Sequence, residues 1–210
     1  MINVLVADDH PIVRRGIKQA LSETDDITVA GETGNSSEVM RKLKERQFDV
    51  VLLDISMPGG GGIEVLKQLR GAGIKAPVLI LSIFPEEQYA MRSLRAGASG
   101  YVMKSCEAEV LVDAIRKVAR GGKWVSEVIE EKLIEDMGED AAKPLHERLS
   151  DREYEVLRWI ASGKSVSEIA KEMTLSMKTV STYRARIRQK MHMKNNSDFT
   201  RYAIKNKLIN

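Results

Sequence analysis

Val50-Val51-Leu52-Leu53-Asp54-Ile55-Ser56-Met57-Pro58 opens as an unbroken apolar run and stops at a carboxylate. Continuous apolar character with β-branched residues suits a strand covered by helices on both faces of a parallel sheet. Pro58 and Gly59 to Gly62 cannot prolong that strand. Asp54 therefore falls at the carboxyl edge of the sheet, where open α/β sheets bind ligands. Taken alone, an aspartate after a strand is no more than the start of a turn. The other strand ends change that reading.

Upstream, Ile2 to Ala7 is a second apolar run, ending in Asp8-Asp9-His10. Pro11 suits the first position of a helix, with Ile12, Val13, Ile17, Ala20 and Leu21 on one face. Ile27 to Ala30 reads as a strand, and Val39, Met40 and Leu43 fall at helical spacing. Downstream, Ile63, Val65, Leu66 and Leu69 mark a helix, Pro77 to Ser82 a strand, and Tyr89, Met91 and Leu94 a helix stopped by Gly97. Gly100 to Met103 is a short fifth strand before a helix bearing Val110, Leu111, Ala114, Ile115 and Val118. Strand and helix alternate five times through residues 1–120, which predicts an α/β domain with a doubly wound, five-stranded parallel sheet.

The chain of 210 residues is long enough for two small domains with cores of their own. The net charge of +3 conceals an asymmetry. Residues 144–210 hold 14 Lys/Arg against 7 Asp/Glu, whereas residues 1–143 are mildly acidic. A basic second half points to a polyanionic partner. No apolar run approaches the roughly 18 residues of a membrane span, and Met1 to Ala7 lacks the basic start of a signal peptide. Cys106 is the single cysteine, so no internal disulfide is available, and a cytoplasmic protein is the expectation.

The strand ends can now be read together. Asp8 and Asp9 follow the first strand, Asp54 the third, Ser82 the fourth and Lys104 the fifth, all at one edge of a parallel sheet. Three converging carboxylates repel one another unless a cation is present, and an oxygen donor set suits Mg²⁺. Such an ion can polarise an incoming phosphoryl group. Lys104 adds a point charge for a phosphate oxygen, and Ser82 a short hydroxyl donor. A network of paired surface charges without chemistry is the bland alternative.

Residues 1–120 resemble the receiver domain of bacterial two-component response regulators. The resemblance rests on Val-Leu-Val-Ala-Asp-Asp-His, Val-Val-Leu-Leu-Asp-Ile-Ser-Met-Pro, Leu-Ile-Leu-Ser and Ala-Gly-Ala-Ser-Gly-Tyr-Val-Met-Lys. It implies that Asp54 accepts a phosphoryl group from a histidine kinase, and that the domain catalyses only its own phosphorylation and dephosphorylation. Asp9, Asp54 and the backbone carbonyl of Ser56 would hold Mg²⁺ directly, with Asp8 acting partly through water. Ser82 would hydrogen-bond the phosphoryl group, Lys104 would pair with it, and Tyr101 would turn inward as the switch. Two positions depart from the common pattern. Ile83 is bulkier than the residue often found after the hydroxyl, and Ser105 replaces the proline that often follows the lysine, where a cis peptide would cost roughly 3 kcal/mol.

Gly121-Gly122 ends the last receiver helix, and Val125, Val128, Ile129, Leu133 and Ile134 fit one linker helix. Residues 121–147 thus read as a linker, with disorder expected around 138–147. The back domain, 148–210, is predicted all-α with four helices. Ser150 with Glu153, and Ser165 with Glu168, have capping-box spacing. The first box precedes Val156, Leu157, Ile160 and Ala161; the second precedes Ile169, Ala170 and Met173. Leu175-Ser176 turns into a helix with Val180, Ile187 and Met191 on its buried face and Lys178, Ser181, Thr182, Ala185 and Gln189 outward, flanked by Arg184, Arg186 and Arg188. Two helices joined by a tight turn, the second basic, form the helix-turn-helix pattern. Small outward residues let a helix enter the major groove while arginines reach phosphates. A solvated surface helix is the plainer reading.

This half resembles the LuxR-type DNA-binding domain in Leu-Ser-Asp-Arg-Glu, Ile-Ala-Lys-Glu-Met and Leu-Ser-Met-Lys-Thr-Val-Ser-Thr-Tyr. Receiver plus such a domain resembles the NarL/FixJ class. That implies base reading by Lys178, Ser181 and Thr182, phosphate contacts from Thr179 and the arginines, and a dimer contact on a last helix near Ser197 to Asn206. The expected partners are a sensor histidine kinase, double-stranded promoter DNA, a second copy in the active state and RNA polymerase as a further candidate; no membrane is expected. Two rivals remain open: a phosphohydrolase passing through an aspartyl phosphate, although Ser56 stands where such enzymes place a second Asp, and a constitutive DNA-binding protein whose front domain serves only dimerisation.

Overall fold

The computed structural model describes residues 1–57, 61–136 and 144–209. Contacts divide the chain into two compact units, Met1–Leu133 and Ile134–Asn210. The first is built from β1 (Ile2–Ala7), α1 (Pro11–Ser22), β2 (Ile27–Thr33), α2 (Ser36–Glu45), β3 (Val50–Asp54), α3 (Gly62–Gly71), β4 (Val78–Ser82), α4 (Glu86–Arg95), β5 (Gly100–Met103) and α5 (Ala108–Ala119), followed by α6 (Glu127–Asp136). All strand pairs are parallel, in the order β2-β1-β3-β4-β5.

Every residue of β3 and β4 is buried, as the unbroken apolar runs require. One face of the sheet, with Val4, Leu52, Leu79 and Leu81, packs against Ile17 and Leu21 of α1 and Leu111, Ile115 and Val118 of α5. The alternate positions, Leu5, Val51, Leu53 and Ile80, are buried on the other face. Each such side chain contributes roughly 1.5–3 kcal/mol. Two helix faces are narrower than the spacing suggested, because Ile12 and Val110 lie on the solvent side. β2 runs on past Ala30 to Thr33, with Ala30 bulged between the Val4–Val29 and Leu5–Gly31 partners. Hydropathy did not show this extension, because Gly31, Glu32 and Thr33 belong to an edge strand joined to β1 through backbone bonds.

The segment before α6 holds a feature with no sequence signal. Trp124 forms an isolated parallel bridge with Gly100 on the open edge of β5. In α6, Ile129 is buried while Val128 is exposed. Val125 stays outside the helix, whose first carbonyl acceptor is Ser126.

In the second unit a 3₁₀ turn (Leu145–Arg148) leads into α7 (Asp151–Ala161), α8 (Val166–Glu172), α9 (Met177–Met191) and α10 (Asn196–Lys205). Disorder expected around 138–147 therefore does not extend to the 3₁₀ turn; residues 137–143 lie outside the described residues. Both expected capping boxes form, and a third, Asn195 with Asp198, opens α10. Leu157, Ile169, Val180, Ile187, Phe199 and Ala203 make a buried core.

Candidate metal centre and nucleic-acid interface

β1 neighbours both β2 and β3, so the chain reverses its winding between β1 and β3. A crevice opens at the carboxyl ends of strands at such a reversal. Asp8 follows β1 and Asp54 ends β3; both are buried. Lys104, just beyond β5, places Nζ 2.7 Å from Asp8 Oδ2 and 2.9 Å from Asp54 Oδ2. Its backbone N–H donates to the Ser82 carbonyl, which fixes the side chain's root against β4.

Backbone and side-chain donors hold the carboxylates in place. Asp54 Oδ1 accepts from the Ser56 N–H, and Asp8 Oδ1 from the His10 N–H. Arg14 donates to the Asp8 carbonyl at 2.6 Å. His10 Nδ1 lies 2.8 Å from Asp9 Oδ1 and caps no helix with its side chain. Burial, with Asp8 adding, holds the Asp54 carboxyl above its ordinary value against the pull of Lys104. Burial opposes the charge on Lys104, but Asp54 and Asp8 outweigh it and hold the ammonium's pKa up.

Asp8, Asp9, His10 and Asp54 each offer a ligand atom within 4.8 Å of the others. Ion pairing apart, Asp8 Oδ2, Asp9 Oδ1 and Asp54 Oδ2 are buried without accepting a hydrogen bond among the described residues. Buried oxygens with unused lone pairs, three of the four groups being carboxylates, fit a hard divalent cation.

Ser82 is fully buried, and its Oγ accepts from the Phe84 N–H at 3.0 Å. Tyr101 is buried, its hydroxyl donating to the Phe84 carbonyl at 2.8 Å. Ile83, between them in sequence, is 68% exposed. The Lys104–Ser105 peptide is trans.

Two contributors escaped the sequence reading. Arg14 sits on a helix whose spacing showed only an apolar face. Gly62 lies so close under the Asp54 carbonyl that any β-carbon there would collide with it. A glycine eight residues after the aspartate has no signature of that contact beyond its place after Pro58.

In the second unit, Ser176 caps α9 through the Thr179 N–H. Val180, Ile187 and Met191 are buried, while Lys178, Ser181, Thr182, Ala185 and Gln189 form an exposed face, as the helical wheel predicted. Arg186 and Arg188 are exposed and Arg184 is half-buried. Thr179 is also half-buried, its hydroxyl 2.8 Å from Ser176 Oγ, and Thr182 Oγ1 donates to the Lys178 carbonyl. At the other end of α9, Lys190 Nζ meets the buried Glu153 Oε2 at 2.6 Å. The Glu153 carboxyl lies below its ordinary value: burial pushes it up, but bonds from Lys190 and the Ser150 cap outweigh that.

Residues 4–116 match the family model described as response regulator receiver domain, and residues 147–203 that of bacterial regulatory proteins, luxR family. The chain belongs to the NarL/FixJ class of two-component response regulators. Among response regulators, UvrY of Escherichia coli K12 is 32% identical, the alignment covering 100% of this chain and 97% of UvrY. GacA of Pseudomonas protegens is 33% identical over 100% of this chain and 98% of its own length. Of solved response-regulator structures, RcsB from Salmonella enterica serovar Typhimurium, bound to promoter rprA in the presence of phosphomimetic BeF₃⁻, is 29% identical with a TM-score of 0.63. That match covers 96% of this chain and 98% of RcsB. As a response regulator the chain pairs a receiver with a DNA-binding helix-turn-helix domain, a regulatory role that implies a histidine kinase partner. No described helix is long and apolar enough to cross a membrane.

Proposed function

We propose that Asp54 is the phosphoacceptor of this regulator and that its phosphorylation drives dimerisation and promoter binding by α9. The observation that carries the reading is the meeting of Asp8 and Asp54, from two strand ends, with the Lys104 ammonium from a third, each carboxylate within 3 Å of it. Asp54 Oδ attacks the phosphorus of a phosphohistidine on the kinase; the new P–O bond forms as the P–N bond breaks, and the imidazole leaves. Ionised carboxylate is already nucleophilic, so in-line placement and charge stabilisation suffice. His10, occupied with Asp9 and Asp8, is not needed as a base.

Asp9, Asp54 and the Ser56 carbonyl would hold Mg²⁺, with Asp8 partly through water; the ion supplies charge neutralisation at the phosphoryl oxygens. Lys104 pairs with a second phosphoryl oxygen. Ser82 turns its hydroxyl to a third, and Tyr101, buried with its hydroxyl on the Phe84 carbonyl, serves as the aromatic switch. Beyond its own phosphorylation and dephosphorylation the receiver turns over no substrate.

On DNA, Lys178, Ser181, Thr182 and Ala185 face the base edges, and Thr179, Arg184, Arg186 and Arg188 the phosphates. α10 makes the dimer contact. The domain limits follow as receiver 1–120, linker 121–147 and DNA-binding domain 148–210; RNA polymerase is the downstream partner and the cytoplasm the site of action. RcsB, whose structure pairs promoter DNA with a phosphomimetic, supports the link between the two events. The test is incubation with acetyl phosphate and Mg²⁺, followed by acid-labile phosphate analysis and binding to a duplex enriched from random-sequence DNA by the treated chain. Wild type gains one phosphate and tighter binding; Asp54→Asn gains neither. Equal binding by Asp54→Asn after treatment would overturn the proposal.

A further inference from the structure

The residues between α5 and α6 are bound into the switch region by a closed ring of contacts. Trp124 donates its N–H to the Ser99 carbonyl at 3.0 Å and accepts the Tyr101 N–H at 2.9 Å, adding a short strap to the free edge of β5. Two residues on, the Ser126 N–H donates to Glu86 Oε1, in the first turn of α4, at 3.1 Å. Glu86 lies two residues beyond Phe84, whose carbonyl accepts the Tyr101 hydroxyl and whose N–H is held by Ser82 Oγ. Tyr101 thus bonds the β4–α4 loop with its side chain and the strap with its backbone. The fit is close: a β-carbon on Gly100 would stand 2.6 Å from the Trp124 carbonyl oxygen. The Trp124 side chain packs against the core, with the Lys117 ammonium 5.7 Å from its ring.

We propose that residues Lys123–Ser126 form the output strap of the receiver, positioned by Trp124, Gly100 and Glu86 so that movement of Ser82 and Phe84 is passed to α6. The inference rests on the reading of Asp54 as phosphoacceptor. Ser82 Oγ is committed to the Phe84 N–H; when it turns toward a phosphoryl group, that bond is lost or the loop follows. A loop that follows draws the Phe84 carbonyl from the Tyr101 hydroxyl and carries Glu86 with it; a bond that is lost frees the loop from its anchor on β4, so the two partners of the strap, Tyr101 and Glu86, are affected together. The strap runs straight into α6, so its displacement reaches the linker without any contact between the two units being required. A ring of discrete hydrogen bonds on a sheet edge has two arrangements, bonded and released, which is what a switch needs.

Trp124 and Trp159 are the chain's two tryptophans, so Trp159→Phe leaves Trp124 as the sole emitter. In that background, acetyl phosphate with Mg²⁺ shifts the Trp124 emission, and Asp54→Asn abolishes the shift. Glu86→Ala and Gly100→Ala, made in the full chain, still take up acid-labile phosphate at the wild-type level. Their gain in affinity for the enriched duplex on phosphorylation falls from a wild-type gain of about 5–150-fold, the usual span of allosteric coupling, to about twofold or less. Glu86→Ala leaves Gly100 and the core contacts untouched, so it decides the matter should Gly100→Ala fold poorly. Absence of phosphate on the wild-type chain would overturn the phosphoacceptor reading. Phosphate uptake with an unchanged affinity gain in Glu86→Ala, or a silent Trp124, would overturn the strap alone.

Discussion

Lys104→Met takes away an ammonium that sits within 3 Å of two buried carboxylates, while a side chain of similar length still fills the space. Lys104 is itself 10% exposed and the carboxylates 2% or less, so solvent screens the pair little. Removing one partner of a buried pair costs about 3–5 kcal/mol. Asp54 can escape part of that by taking up a proton, which places the expected loss near the lower figure. For a unit of this size each kcal/mol lowers Tm by about 4 °C, so the receiver transition falls by about 12 °C at pH 8 in EDTA. The pH sign follows from the raised Asp54 value. Between the ordinary carboxylate value and the raised one, the folded state binds more protons than the unfolded state, so stability declines as pH rises through that window. Without Lys104 the window widens upward, and the variant recovers on acidification toward pH 5. Mg²⁺ also restores it, and raises its Tm more than that of wild type, because a cation that binds only the folded notch stabilises by mass action. Calorimetric melts at two pH values, with EDTA and with Mg²⁺, decide the point. A variant melting like wild type in EDTA at pH 8, or indifferent to Mg²⁺, refutes a buried acidic notch held together by that lysine.

Gly62→Ala drives a methyl group into the Asp54 carbonyl; phosphate uptake from acetyl phosphate should drop at least tenfold while the second unit's melting transition stays put, as phosphate analysis and calorimetry would show. Arg188→Ala removes an exposed charge flanking the outward face of α9, and the slope of log affinity against log salt should become shallower by about 0.9 if one phosphate contact is lost. An unchanged slope would place that arginine away from DNA. Glu153→Gln severs the tie to Lys190 at the far end of α9. Because the Glu153 carboxyl lies below its ordinary value, its contribution is present above the unfolded value and lost as pH falls through the folded one. The variant's second unit should therefore lose stability at pH 7 and show a flatter acid limb, measured by circular dichroism melts from pH 7 to pH 3.

How far the chain could be read without coordinates depended on where the information is stored. Periodicity and punctuation are local, and they located β1, β3, β4 and β5 to within a residue, both serine capping boxes, and the buried triad Val180, Ile187 and Met191. Part of the notch was legible as well, since parallel strands bring all their carboxyl ends to one edge, and Asp8, Asp9, Asp54 and Lys104 do gather there. Local pattern failed where a residue's role depends on what crosses it in space. Ile12 and Val110 fit apolar helix faces yet remain exposed, because spacing along one helix does not say how far its partners extend over it. The polar end of β2 joins β1 through backbone bonds, which hydropathy does not register.

Composition, period and turn chemistry thus determined by themselves that this protein is an acidic-notched parallel sheet followed by a basic helix-turn-helix, because those features are written in the order of side chains along one strand or one helix. Only the tertiary structure decided which partners hold the working groups: Arg14 on the Asp8 carbonyl, Gly62 beneath Asp54, Trp124 on the edge of β5 and Glu86 on Ser126. Two of those contacts, Trp124 with Gly100 and Glu86 with Ser126, join residues distant in the chain, and each of the four uses a backbone atom, which every residue carries alike and which therefore leaves no mark in the sequence.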